Sequence, residues 1–314
     1  MHDLICYKTM PEWDINSLPT AFRKKHNTKV GTWAKLTIFS GKLKYYAMDE
    51  AGKITDIFIF DKKSNIPFVK PQAWHKVEPL TDDLRCQLAF YCQPDSFYQE
   101  KYNLSTTHSE VIETLQIMQS ENNPNTSFSG LSALDLGCGG GRNALYLQQN
   151  GFNVTAFDKN ENAINKLNHI IEQEDLADIQ AHIANLHNTG ERNELQLKKY
   201  NLVVATVVLM FIDEDKIAEV IAAMQSHTQA GGYNVIVCAM DTNDYPLSNY
   251  QGLLPFKFGL KSNELSTYYQ HWHIKKYNEN VGYLHRLDAN GNPIALRFAT
   301  IIAKNLGAGD DNKQ

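Results

Sequence analysis

The sequence predicts an α/β protein: a doubly wound, Rossmann-like parallel sheet preceded by a small all-β domain. Three observations carry this. The run Leu134-Asp135-Leu136-Gly137-Cys138-Gly139-Gly140-Gly141-Arg142 passes from a short apolar strand through a glycine turn into a helix. From there to Ala239, continuous apolar strands alternate with helix-period segments, the pattern of a parallel sheet covered on both faces. Before it, Val30 to Cys92 is a series of short strands with glycine and proline turns, the pattern of a sandwich or small barrel.

In the β region, Leu36 to Phe39 meets a turn at Ser40-Gly41 and Leu43 to Tyr46 runs back. Glu50-Ala51-Gly52 marks a second turn before Ile57 to Phe60. Pro67 and Pro71 lead to Trp74 to Val77, and Leu84 to Cys92 closes the set. Thr107-His108-Ser109-Glu110 then reads as a capping box, with Val111, Ile112, Leu115 and Met118 on one helical face. After a polar loop, Glu121 to Gly130, come the strand into Asp135, a helix from Arg142 to Asn150 and a strand from Asn153 to Phe157. A helix presenting Ile164, Leu167, Ile170 and Ile171 follows, then strands at Ile179 to Ile183 and Tyr200 to Val208. Asp213 is placed to cap a helix that Gly231-Gly232 ends, and Tyr233 to Ala239 is the next strand. Asp241 to Pro255 is a long loop, the kind that leaves a strand end near a site. Trp272 to Tyr277 and Ala295 to Ala303 pair around a turn at Asn290-Gly291-Asn292, and Gly307 to Gln314 is a polar, disordered tail. The expected boundaries are therefore a β domain over 1–95, a second domain over 96–306, and the tail.

A chain of 314 residues is long enough for about two domains. Its net charge of −5 leaves no basic excess to neutralise phosphates, which argues against nucleic acid. Five scattered cysteines form no C-x-x-C pair, so neither a disulfide framework nor a zinc site follows. No basic segment followed by a long apolar stretch opens the chain, and the run from Leu202 to Ile212 is too short to span a bilayer. A cytoplasmic protein with no membrane insertion is expected.

The glycine motif narrows the ligand. A dinucleotide fingerprint needs glycine where Arg142 stands, and Asp135, two residues before the first glycine, suits a cation better than a phosphate. Asp158 ends the following strand, 21 residues after Gly137, where an acid can take both hydroxyls of a ribose. S-adenosylmethionine has that ribose, an ammonium for Asp135, and a carboxylate for Arg142 at the helix start. Asn185-Leu186, after the third strand, offers an amide for adenine, although a loop-capping Asn fits equally well. Thr206 is polar in an apolar run, at the reactive end of the site. Tyr102 and His108 could close over the methionine end or simply pack. Leu136, Gly139, Asn143 and Lys159 complete the expected cofactor shell. His285-Arg286 sets two cations side by side, able to attract an anionic acceptor or to pair with Glu279 or Asp288. His75, in Pro71-Gln72-Ala73-Trp74-His75, lacks the partners that a metal would need and reads as structural; no metal site is expected.

With these residues assembled, nearly the whole chain resembles the long form of the TehB tellurite-resistance methyltransferases. The likeness runs through Pro11-Glu12-Trp13, Lys25 to Trp33, Pro71 to Val77, Leu134 to Asn143, Thr206 to Ile212, Gly232-Tyr233-Asn234 and His285 to Asn292. It implies a cupin-like N-terminal domain and a seven-stranded class I methyltransferase domain. It also implies S-adenosylmethionine as methyl donor, S-adenosylhomocysteine as product, and a small inorganic oxyanion, tellurite or selenite, as acceptor. His285 and Arg286 match the family's basic pair and would orient the oxyanion. Tyr283, Leu287 and Pro293 stand where the family usually has Glu, Thr and Arg. Two rivals follow: a methyltransferase for small thiols or other soft nucleophiles, and a regulator that holds the cofactor without consuming it. Cupin-like domains often pair, so the resemblance allows a homodimer.

Overall fold

The computed structural model describes residues 4–121, 127–186, 198–288 and 290–307; the side chain of His285 is outside the description, as are residues 308–314 of the expected tail. The chain forms two units that divide between Leu104 and Ser105.

In the first unit, β7 (Arg85–Cys92) is flanked by β1 (Ile5–Thr9), β2 (Trp13–Asp14) and β3 (Trp33–Ser40), all antiparallel to it. A second sheet has the order β5 (Ile54–Asp61), β4 (Lys42–Met48), β6 (Trp74–Pro79). Trp13, Ile38, Leu43, Ile66, Leu84 and Cys86 form one buried cluster of this unit. Phe97–Tyr102 is a short helix, α1, ending in Tyr102. His75 is buried, shares a hydrogen bond with the Ala73 carbonyl at 2.8 Å, and packs on His26 and Tyr45. Burial pushes its pKa down to about 4, so the ring is neutral at ordinary pH. Among the described residues no group of three or more His, Cys, Asp or Glu could hold a metal, and no helix is long and apolar enough to cross a membrane.

The second unit is a seven-stranded sheet. Its strands are β8 (Ser132–Leu136), β9 (Asn153–Asp158), β10 (Ile179–Ile183), β11 (Tyr200–Thr206), β12 (Thr228–Ala239), β13 (His273–Leu287) and β14 (Pro293–Lys304). The order β10-β9-β8-β11-β12-β14-β13 is parallel through β12, and β14 inserts antiparallel between β12 and β13. Helices α2 (Ser109–Glu121), α3 (Arg142–Gln149), α4 (Glu161–Gln173) and α5 (Ile217–Ser226) each bury an apolar stripe, as their 3.6-residue spacing requires. A four-residue helix, α6 (Glu264–Thr267), buries Leu265.

Several local expectations are corrected. Thr107 does not cap α2, because its hydroxyl donates to the Arg142 carbonyl at 3.2 Å; the Glu110 N–H goes instead to His108 Nδ1 at 3.3 Å. Asp213 does not cap α5 but accepts from Lys257 at 2.7 Å. Gly231-Gly232 does not end a helix: β12 has already begun at Thr228, and its register with β11 shifts between Tyr200 and Leu202. β13 runs ten residues past Tyr277, so His285 and Arg286 lie in its last turn-ward stretch, where pairing with β14 jumps from Tyr283–Ala295 to Leu287–Pro293.

Candidate active site

The chain leaves β8 toward one face of the sheet and β11 toward the other, so a crevice opens at the carboxyl ends of these neighbours, where an open α/β sheet takes its ligand. The N–H groups of Gly137 and Cys138 both donate to the Phe157 carbonyl, at 2.8 and 2.9 Å, and pin the glycine loop to β9. Gly137 has φ +71°, and a Cβ there would stand 2.3 Å from a Val208 methyl. Gly139, at φ +54°, would meet nothing within 4 Å, so bare backbone faces open space. Its N–H donates to Asp158 Oδ2 at 2.8 Å, while Oδ1 takes the Asn160 N–H at 2.8 Å. A cavity of about 280 Å³ lies here, walled by Gly137, Asp158, Asn185, Leu186, Val208 and Phe211.

Behind the loop, Asp135 is 1% exposed, and its Oδ2 has no hydrogen-bond partner. Burial pushes its carboxyl up to about 7, against the pull of Arg142 and of the Ala144 N–H, with Asp158 adding to the rise. A buried acceptor without a partner is rare enough to require an explanation, and a cationic ligand supplies one. Arg142 opens α3, half-buried, and donates to the Thr106 carbonyl at 3.3 Å.

A second cavity, of about 420 Å³, is walled by His108, Glu110, Arg142, Lys276, Asn280 and Tyr283, among others. Burial holds the pKa of His108 below its ordinary value, and Arg142 adds to the effect. With Nδ1 accepting from Glu110, the neutral ring carries its proton on Nε2. Lys276 bridges Glu110 and Glu113, both at 2.6 Å. Burial alone would lower its pKa, yet those two carboxylates raise it, so the ammonium stays charged. Val207 belongs to the wall of both cavities. Its φ of +58° is unusual for a β-branched residue, and its N–H donates to the Val237 carbonyl at 2.7 Å.

Of the residues expected from sequence, Gly137, Asp158, Lys159, Asn185 and Leu186 line the first cavity, and His108 and Arg142 the second. Asn143 and Thr206 bond to each other, Nδ2 to Oγ1 at 2.9 Å, and the Asn143 oxygen also takes the His108 N–H at 3.0 Å. They brace the site rather than line either cavity. Leu136 is buried, and Tyr102 belongs to the first unit. Arg286 is exposed and lines neither cavity. Sequence reasoning missed Lys276, Asn278 and Asn280, whose two-residue spacing on β13 was the available signal. It also missed the backbone of Val207, for which no local signal exists.

A sheet order of 3-2-1-4-5-7-6 with one antiparallel insertion, and an acidic glycine loop at its switch point, define a class I methyltransferase. This class takes S-adenosylmethionine as cofactor, and the residues present fit it: an orphaned buried carboxylate, an open glycine backbone and a strand-end acid. A family model described as tellurite resistance protein TehB matches residues 90–302, and one described as TehB-like domain matches residues 8–88. The chain belongs to the TehB family. It is 45% identical over 303 residues to the "Probable S-adenosyl-L-methionine-dependent methyltransferase TehB" of Haemophilus influenzae strain 10810, covering 96% of this chain and 99% of the relative. "Hemagglutinin 1" of Eikenella corrodens is 38% identical over 262 residues, covering 83% and 80%. The crystal structure of TehB from Haemophilus influenzae superposes with a TM-score of 0.83 at 44% identity, over 96% of this chain and 98% of that one.

Proposed function

We propose that this protein methylates tellurite, and selenite with it, as a metalloid-detoxifying methyltransferase of the cytoplasm. The cation-bearing second cavity carries the reading, since it meets the first at Val207 and so abuts the reactive end of a cofactor held there. When bound, S-adenosylmethionine supplies an already activated methyl group. Asp158 holds the ribose hydroxyls, Asn185 the adenine edge, Asp135 the ammonium and Arg142 the carboxylate. His108 and Lys276 offer charged or polar donors to oxyanion oxygens. His285 and Arg286, the proposed acceptor-orienting pair, follow directly on Leu284, which lines the second cavity. Alignment of a lone pair on the central atom with the methyl group, with water excluded, is the catalytic work that is left.

The test is direct: purified protein, cofactor and tellurite yield methylated tellurium in the headspace, with S-adenosylhomocysteine in solution. Cofactor bound but never consumed would sink the reading in favour of a regulator. A second reading, transfer to small thiols, is favoured by Pro293 where the family usually has arginine, and side-by-side rates with a thiol decide between them.

Two substitutions separate acceptor from cofactor. Lys276→Gln removes a cation from the cavity wall and leaves Glu110, which lines the cavity, and Glu113 without the ammonium they share, so kcat/KM for tellurite falls roughly 10- to 100-fold, the worth of a charged hydrogen bond. Cofactor affinity, read by calorimetry, stays put. Arg286→Ala is expected to slow turnover on tellurite while sparing cofactor binding. An unaltered rate moves the acceptor away from the end of β13.

A further inference from the structure

The first unit carries an unpartnered sheet edge of unusual composition. Strand β5 pairs with β4 alone among the described strands, which leaves its other edge with no ladder partner. Along it Ile54 is 41% exposed, Ile57 52%, Phe58 46% and Ile59 58%. Within a regular strand neighbours point to opposite faces, so Ile57 and Ile59 share one face and Phe58 takes the other. Exposed edges are ordinarily guarded by lysine, proline or a short length. Here eight residues, ITDIFIFD, hold no lysine or proline, and Asp56 is the only charge between Ile54 and Phe60.

We propose that this edge is a dimer interface, at which β5 of a second copy adds antiparallel on a two-fold axis and joins two three-stranded sheets into one of six. An antiparallel edge is self-complementary about such an axis. The charges choose the register. With Ile57 on the axis, Lys53 lies opposite Asp61 of the second copy, and the pairing repeats by symmetry at the other end. A slip of one residue in one direction sets Lys53 against Lys62 of the second copy; a slip in the other moves Asp61 onto Gly52. Cross-strand opposite charges stabilise a pair and like charges destabilise it. The Ile57-centred arrangement therefore brackets the apolar stretch with two ion pairs.

One strand pair per copy is a small contact, at the lower end of specific interfaces, so the dimer is weak and its formation depends on concentration. Sedimentation velocity on the full chain, from about 1 to 200 μM, should show the mass rising to that of two copies. Ile57→Glu is expected to abolish the rise, with an unchanged circular dichroism spectrum because the side chain is exposed. Lys53→Glu is expected to weaken it at least tenfold. With the exposed Cys6 replaced by serine, Ile57→Cys should yield a disulfide-linked dimer under mild oxidation, whereas Lys62→Cys should not. A wild-type chain that stays monomeric throughout overturns the proposal, as does a dimer indifferent to Ile57→Glu. Mass growing beyond two copies overturns the closed two-fold pairing.

Discussion

Asp135→Asn is expected to make the ligand-free protein more stable at pH 8 and far poorer at holding its cofactor. The carboxyl lies fully buried, its Oδ2 has no partner, and burial lifts its pKa from 3.8 to about 7. A raised carboxyl means that the folded chain holds a proton which the unfolded chain has already lost. Stability is thus highest below the unfolded value, and is lost as pH climbs through about 4 to 7. Above that window the buried charge costs about 4 kcal/mol, from the shift at 1.36 kcal/mol per unit. Asparagine removes the charge and keeps an oxygen for the Ala144 N–H, but leaves an unpaired amide that costs about 1–3 kcal/mol. The net gain at pH 8 is roughly 1–3 kcal/mol, shrinking to nothing near pH 5. Cofactor affinity moves the other way. On the proposed placement, the ammonium needs the ionised carboxylate, so wild-type affinity tightens about tenfold per unit up to pH 7 and then levels. The variant shows no such slope and binds roughly 2–4 kcal/mol more weakly. Thermal midpoints and calorimetry at several pH values test both halves. A wild-type affinity that ignores pH would remove the ammonium from Asp135.

What the sequence disclosed and what it hid divide along one physical line. The strand, glycine loop and helix from Leu134 to Arg142 were legible because the need for glycine at Gly137 and Gly139, and the alternation around them, are local properties. Asp158 and Asn185 followed because a parallel sheet puts successive strand ends on one edge. Lys276 was hidden because its place in the second cavity depends on β13 lying at the sheet's far edge, antiparallel to β14, which no window of sequence encodes. The positive φ of Val207 accompanies a bond from its N–H to the Val237 carbonyl, on a neighbouring strand that no local window includes. Thr107 misled because a capping box competes with any nearby carbonyl, and the Arg142 carbonyl, brought close by the fold, won. Gly231-Gly232 misled in kind, since two glycines serve a bulge as readily as a helix stop.

Asp158→Ala is expected to weaken cofactor binding by roughly 1–3 kcal/mol, about 5- to 150-fold in Kd, through ribose hydroxyls left without an acceptor. The carboxylate already has two tasks in the ligand-free chain, accepting from Gly139 and Asn160 at 2.8 Å each. Alanine therefore also loosens the glycine loop, and a loss of affinity could arise indirectly. Asp158→Asn separates the two contributions. Its amide oxygen still accepts one backbone N–H, while its nitrogen can only donate, so one of the two acceptors is lost along with the charge. If the acid holds the sugar, asparagine weakens binding nearly as much as alanine, while the ligand-free thermal midpoint falls less than alanine's because one of the two backbone bonds survives. If loop order is the whole effect, affinity and midpoint fall together across both variants. An affinity untouched by either change would place the nucleoside elsewhere than at the end of β9.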